Sequence, residues 1–285
     1  MLTKASAERI LKETLALGRG DGMEVILDGD RTWFLQFSGN QMRQNLFQKD
    51  YILTIRIVVG KREGVVTTNR FSGEDLKRAV EAAYQTALQQ KEDPEMPDLP
   101  ELTPIPEQNP YDNPTIESSP HERAEMVKGI TSRCLKSSLL ACGALSSGDK
   151  IAAVMNSKGA FCYHNATHAD MTLTVLTPGG GSGWSEAHSW KLSDLSADQL
   201  AETAIEKARR SENPVAPDLG QYTVVLEERA VANLLSFLSS LGCGALSVQE
   251  EKSFMTGKLG EKLTGEKITI LDDWRMPETL GMPFD

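Results

Sequence analysis

A chain of 285 residues and 31.2 kDa with 40% hydrophobic and 25% charged side chains has the composition of a globular protein long enough for about two domains. Thirty basic against forty acidic side chains give a net charge of -10, which repels phosphate backbones, and no local basic patch offsets it, so nucleic acid is excluded as a partner. No apolar run reaches 18 residues and Met1 to Leu17 mixes charged with apolar positions, which excludes a membrane span and a secretion signal.

The four cysteines, Cys134, Cys142, Cys162 and Cys243, are scattered and form no CxxC pair, so reduced thiols in a cytoplasmic protein are expected. From the start of the chain, Thr3 to Leu17 places Ala7, Ile10 and Leu11 along one side of a helix, and Gly18 to Gly22 ends it. Alternating apolar residues at Met23, Val25, Leu27, then Trp33, Leu35, Phe37, then Tyr51 to Val59 predict strands of an antiparallel sheet, with a further polar strand near Met42 to Gln48. Gly60 to Gly64 reads as a hairpin loop whose tip, Lys61 and Arg62, is solvated. Ser72 opens a helix with Asp75 at the reciprocal capping position, fading near Gln90.

Residues 92–120 hold eight of the thirteen prolines and eight acidic residues without a Lys or Arg, which predicts an extended arm draped over the surface, with no helix. Ser119-Pro120-His121-Glu122 is a helix start with a capping box, and His121 falls in its solvated first turn. Leu139 to Leu145, Ile151 to Met155 and Ala160 to Leu176 follow as strands, with breaks expected at Ser147-Gly148-Asp149 and Ser157-Lys158-Gly159. Cys162, His164 and His168 have the look of a metal site, but on a strand the two imidazoles stand about 13 Å apart at ~3.3 Å per residue, too far to share an ion. Gly179-Gly180-Gly181-Ser182-Gly183 lacks the Lys-Ser/Thr and the helix of a phosphate loop and reads as a hairpin tip before Trp184. Ser196 caps a last helix carrying Leu200, Ala204, Ile205 and Ala208, and Pro214 to Pro217 closes it. A domain boundary is placed there: an amino-terminal α+β domain over 1–217, then a second domain over 218–285.

The second part opens with a β-branched run, Tyr222 to Leu226, which predicts a strand. A helix follows, with Glu227 and Glu228 at its positive end, Val231, Leu234, Leu235, Leu238 and Leu241 along one face, and Gly242 at its stop. Beyond it come Ser253-Phe254, Gly257-Lys258-Leu259-Gly260-Glu261-Lys262 and a run ending in Asp272-Asp273. In this order of blocks the sequence resembles the TldD/TldE (PmbA) peptidase family, formerly called modulators of DNA gyrase. That resemblance implies a β-rich carboxy-terminal domain, of which Phe284-Asp285 looks like a first step and the rest is missing, so an incomplete domain is expected.

Catalytic members of that family carry His-Glu-x-x-x-His on the helix. Laying Leu234-Leu235 on the two apolar residues that precede the motif puts Ser236, Phe237 and Leu241 where those three groups stand. Zinc takes imidazole, thiolate or carboxylate ligands, and hydrolysis needs a base for the metal-bound water; a hydroxyl, a phenyl ring and an isobutyl group supply neither. The resemblance therefore implies a TldE-like, non-catalytic subunit of a cytoplasmic zinc metallopeptidase complex, without cofactor of its own, paired with a TldD-like catalytic subunit or with copies of itself and handling linear or unfolded peptides. Two alternatives are a metallopeptidase with a relocated site drawn from His164, His168, His188, Cys162, Cys243, Asp272 and Asp273, and a protein-binding scaffold.

Overall fold

A computed structural model of the chain describes residues 2–101, 110–276 and 281–284. It divides into two compact units, Met1–Pro214 with Trp274–Asp285, and Val215–Asp273. The parts of the proline-rich arm at 102–109 and the final Asp285 lie outside the described residues.

In the first unit, α1 (Lys4–Leu15) leads into β1 (Gly22–Ser38), β2 (Gln41–Val59), β3 (Arg62–Thr68) and α2 (Gly73–Gln89). After the short α3 (Asn113–Glu117) come α4 (Pro120–Lys136), β4 (Leu140–Asn156), β5 (Phe161–Leu176), β6 (Ser182–Ser189) and α5 (Ala197–Arg210). The strands form one antiparallel sheet in the order β3-β2-β1-β4-β5-β6. The first unit is thus the α+β architecture of helices against an antiparallel sheet that the alternation predicts. Among the described residues no helix is long and apolar enough to cross a membrane.

Helix starts follow the capping chemistry. The side chains of Thr3, Ser72, Ser119 and Ser196 each accept a backbone N–H of the first turn, and Ser119 and Glu122 close a full capping box. The inner faces of the helices then meet odd-numbered strand residues, because side chains alternate across a strand. α1 and α2 pack with Val25, Leu27, Leu53, Ile55 and Ile57 in one core, and α4 and α5 pack with Leu35, Phe37, Leu145, Met171 and Leu173 in another. Each fully buried Leu, Ile or Phe contributes about 1.5–3 kcal/mol relative to exposure.

The chain here has two halves with the same plan, a helix, three antiparallel strands and a second helix, and each core is completed by the far end of the other half's first strand, Leu35 and Phe37 of β1 in one and Ile151, Ala153 and Met155 of β4 in the other. A shift of 118 positions carries Arg31 onto Asp149 and the pair Gly29↔Tyr51 onto Ser147↔Ala169. Both halves also bring a helix down onto a glycine of the edge strand. A Cβ on Gly64 would lie 2.0 Å from the Ala83 carbonyl oxygen, and one on Gly183 would lie 2.0 Å from that of Ala204. Where the halves meet, β1 against β4, a polar strip separates the cores: Arg31 donates twice to Asp149 at 2.7 and 2.6 Å, and the Tyr111 hydroxyl donates to Asp149 at 2.7 Å. Burial, and then this hydrogen bond to a carboxylate, push the Tyr111 phenol up to about 12. Arg123, 1% exposed, lays its guanidinium 5.4 Å from the Trp33 ring centroid and donates to the Ser118 carbonyl and hydroxyl.

Several expectations need correction. Ser147-Gly148-Asp149 is no break: β4 runs through it, and Gly148 sits at the centre of the sheet, where a Cβ would lie 2.0 Å from the Arg31 carbonyl oxygen. The runs Met23–Leu27 and Trp33–Phe37 are one strand, and the polar run near Met42 is the first half of β2. The hairpin turn after Val59 is limited to Gly60 and Lys61, and Lys61 is tied down by donating to the Met96 carbonyl at 2.8 Å. In its described part ahead of residue 102 the arm packs against the first unit, with Met96 and Leu99 buried at 7% each. It does contain a helical turn, α3, because Pro114 lies at its start, where no intrahelical N–H is required, and Asp112 caps it.

The second unit, Val215–Asp273, holds α6 (Glu228–Gly242) and α7 (Ala245–Gln249). The strand expected over Tyr222–Leu226 is irregular chain without ladder pairing, and among the described residues the unit contains no strand, so its expected β-rich character is not present in residues 215–273. A β-branched run becomes a strand only when a neighbour takes its N–H and C=O groups.

Candidate functional site

Two places bear on function, and each is built from a simple local rule. The first lies on the face of the sheet opposite the helices, where the even-numbered residues of the strands point. Cross-strand pairing puts Ile52, Asp28, Ala152 and His164 in one row and Asp50, Asp30, Lys150 and Ala166 in the next. The following row contains Gln48, Thr32, Gly148 and His168. Apart from Thr32 and Gly148, these residues, with Asp170 and His188, line a cavity of about 610 Å³.

Three of the cavity's four carboxylates come from one half of the fold, and its imidazoles with the fourth come from the other. β1 and β2 supply Asp28, Asp30 and Asp50; β5 and β6 supply His164, His168, Asp170 and His188. Gly148 leaves an opening in its row, so the Thr32 hydroxyl reaches His168 Nε2 at 3.4 Å across β4. Thr32 donates its single proton to Asp30 Oδ1 at 2.7 Å, so toward His168 it accepts. That assigns the Nε2–H tautomer to His168 and leaves Nδ1 as a buried acceptor, which has no hydrogen-bond partner among the described residues.

The other titrating groups divide by environment. His164 and His168, 7% and 8% exposed, are held below the ordinary imidazole range by burial. His188 is raised, first by its hydrogen bond to Asp170 and then by that carboxylate's charge. For Asp170 burial pushes upward, but the hydrogen bond and charge of His188 outweigh it and the net shift is downward. Asp28 is raised by desolvation alone.

The second place is helix α6. It has no side-chain cap, and its apolar face is largely exposed, with Leu234 at 60%, Phe237 at 69% and Leu241 at 68%. Beyond it, the Ser253 hydroxyl donates to the Gly242 carbonyl at the helix end, and the Phe254 ring lies against Gly242. Ser236, Phe237 and Leu241 therefore occupy one helix, as expected, and offer one neutral hydroxyl and two hydrocarbon groups. That donor set does not fit a zinc ion.

Of the residues considered for a relocated metal site, His164, His168 and His188 meet at the cavity, whereas Cys243 lies at the end of α6 and Asp272 in irregular chain of the second unit. Among the described residues no group of three or more His, Cys, Asp and Glu is arranged to hold a metal ion. Asp28, Asp30, Asp50, Lys150 and Asp170 were not legible as a site in the sequence, where they read as the solvated positions of alternating strands. Their shared even register with His164 and His168 is the signal that joins them.

Comparison with known proteins agrees along most of the chain. Profiles of PmbA/TldA metallopeptidase domain 1, central domain and C-terminal domain match residues 23–87, 114–212 and 219–285. An uncharacterized protein of Methanocaldococcus jannaschii is 28% identical over 131 residues, 46% of this chain and 30% of that protein. TldE from Thermococcus kodakarensis superposes with a TM-score of 0.82 at 20% identity, over 98% of this chain and 66% of the other. A protein given the gyrase-modulator label, from Thermotoga maritima, superposes with a TM-score of 0.82 at 18% identity, over 98% of this chain and 65% of the other. The chain thus spans about a third of the curated relative and just under two thirds of these solved chains.

Proposed function

Because the chain belongs to the PmbA/TldD metallopeptidase family, we propose that it acts as a non-catalytic, TldE-like subunit beside a zinc-bearing TldD-like partner in the cytoplasm. The observation that carries this reading is the content of three positions on α6. A metallopeptidase helix at this place must present two imidazoles to the ion and a carboxylate to the attacking water. Ser236, Phe237 and Leu241 stand there instead, and none of them can hold the ion tightly or accept the proton.

In this role the subunit binds and presents linear or unfolded peptide to the partner, and the partner supplies the bond cleavage. The gyrase-modulator label of a structural relative adds nothing to this, since a net charge of -10 disfavours contact with DNA. Co-purification of the chain with a TldD-type protein, followed by peptidase assays of the partner with and without it, tests the proposal. A partner that neither binds the chain nor changes its rate in its presence refutes it.

A further inference from the structure

We propose that the cavity on the sheet face opposite the helices binds the ammonium groups of a peptide's lysine side chains. The cavity's charged lining is mainly acidic. Asp28, Asp30 and Asp50 line it from β1 and β2, and only Lys150 opposes them, since His188 is already paired with Asp170. An ammonium brings three N–H donors and a positive charge, which is what such a lining lacks.

His168 supports the same ligand chemistry independently of the carboxylates. Its ring lines the cavity while 8% exposed, and Thr32 fixes its Nε2 as the donor, so the unpartnered Nδ1 is an acceptor. Buried acceptors are normally satisfied, so an unsatisfied one on a residue of the cavity wall points to a donor that the described residues do not supply. Asp28 adds a third sign: desolvation by burial raises its carboxyl. At about 610 Å³ the cavity has the size of an ordinary small-ligand site and accommodates a short stretch of peptide, with Ile52, Ala152 and Ala166 as its apolar walls.

The inference takes the ligand's identity as a peptide from the helper reading, but its test needs no partner protein. Binding to the purified chain is measured by calorimetry with a capped tetrapeptide containing two lysines, and with its counterpart in which both lysines are glutamates. The lysine peptide is expected to bind saturably and to weaken with added salt, and the glutamate peptide at least tenfold more weakly. Asp28→Asn together with Asp30→Asn is expected to lower lysine-peptide affinity at least tenfold, while Lys150→Ala raises it. Equal binding of the two peptides, no saturable binding of the lysine peptide, or an unchanged affinity in the Asp28→Asn/Asp30→Asn variant overturns the inference. A failure here leaves the co-purification experiment to stand or fall separately.

Discussion

Arg31 and Asp149 hold equivalent positions in the two halves of the fold, 118 residues apart, and pair with each other across the β1–β4 junction through two hydrogen bonds. Asp149 is fully buried and Arg31 is 20% exposed at its side chain, so the pair has been taken largely out of water. In such a setting the penalty falls on whichever partner is left alone.

Asp149→Ala is therefore expected to destabilise the first unit by about 3–5 kcal/mol, because it strands the Arg31 guanidinium and the Tyr111 hydroxyl together. Tyr111→Phe removes one hydrogen bond to a charged group and is expected to cost about 1.5–3 kcal/mol. Urea unfolding of both variants reads these out. A loss below about 1 kcal/mol for Asp149→Ala contradicts the role assigned to the strip.

The paired glycines give a second prediction. Gly64→Ala and Gly183→Ala each push a methyl against a helix carbonyl, so each is expected to destabilise by about 1–3 kcal/mol. Gly129→Ala, inside α4 with nothing within 4 Å of the new methyl, is expected to stabilise by roughly 0.5–1 kcal/mol. Thermal melts of the three variants should order in that way.

The histidines of the cavity should titrate apart. His188 is expected to have its midpoint above the ordinary imidazole value of 6.5, and His164 and His168 below it. The stabilisation from the raised His188 is full below 6.5 and disappears as pH rises through its folded midpoint. That from the lowered Asp170 is full above its ordinary value of 3.8 and disappears as pH falls through its folded midpoint. The pair thus contributes fully between those limits. NMR titration of the imidazole protons checks the order, and Asp170→Asn should bring the His188 midpoint down.

How much of this was legible in the sequence depends on the range of the interaction concerned. Caps are set by neighbours three residues apart, so Ser72, Ser119 and Ser196 mark their helices directly. Ser147-Gly148-Asp149 carries turn chemistry locally, yet its position is decided by β1, 118 residues away, which needs a residue without a side chain at 148. The duplication leaves no sequence trace where it matters, since equivalent positions hold opposite chemistry: Arg31 against Asp149, and Asp50 against His168. For the same reason the cavity stays hidden until the strands are in register. The strand expected over Tyr222–Leu226 failed differently, for want of any partner among residues 215–273.

The helper role depends most directly on the chemistry missing from α6, and one measurement addresses it: zinc content and peptide hydrolysis of the isolated, purified chain in zinc-containing buffer. Well below one zinc per chain and no cleavage of an unfolded peptide are the predicted results. One tightly held zinc per chain, together with cleavage that a chelator abolishes, would contradict the helper role.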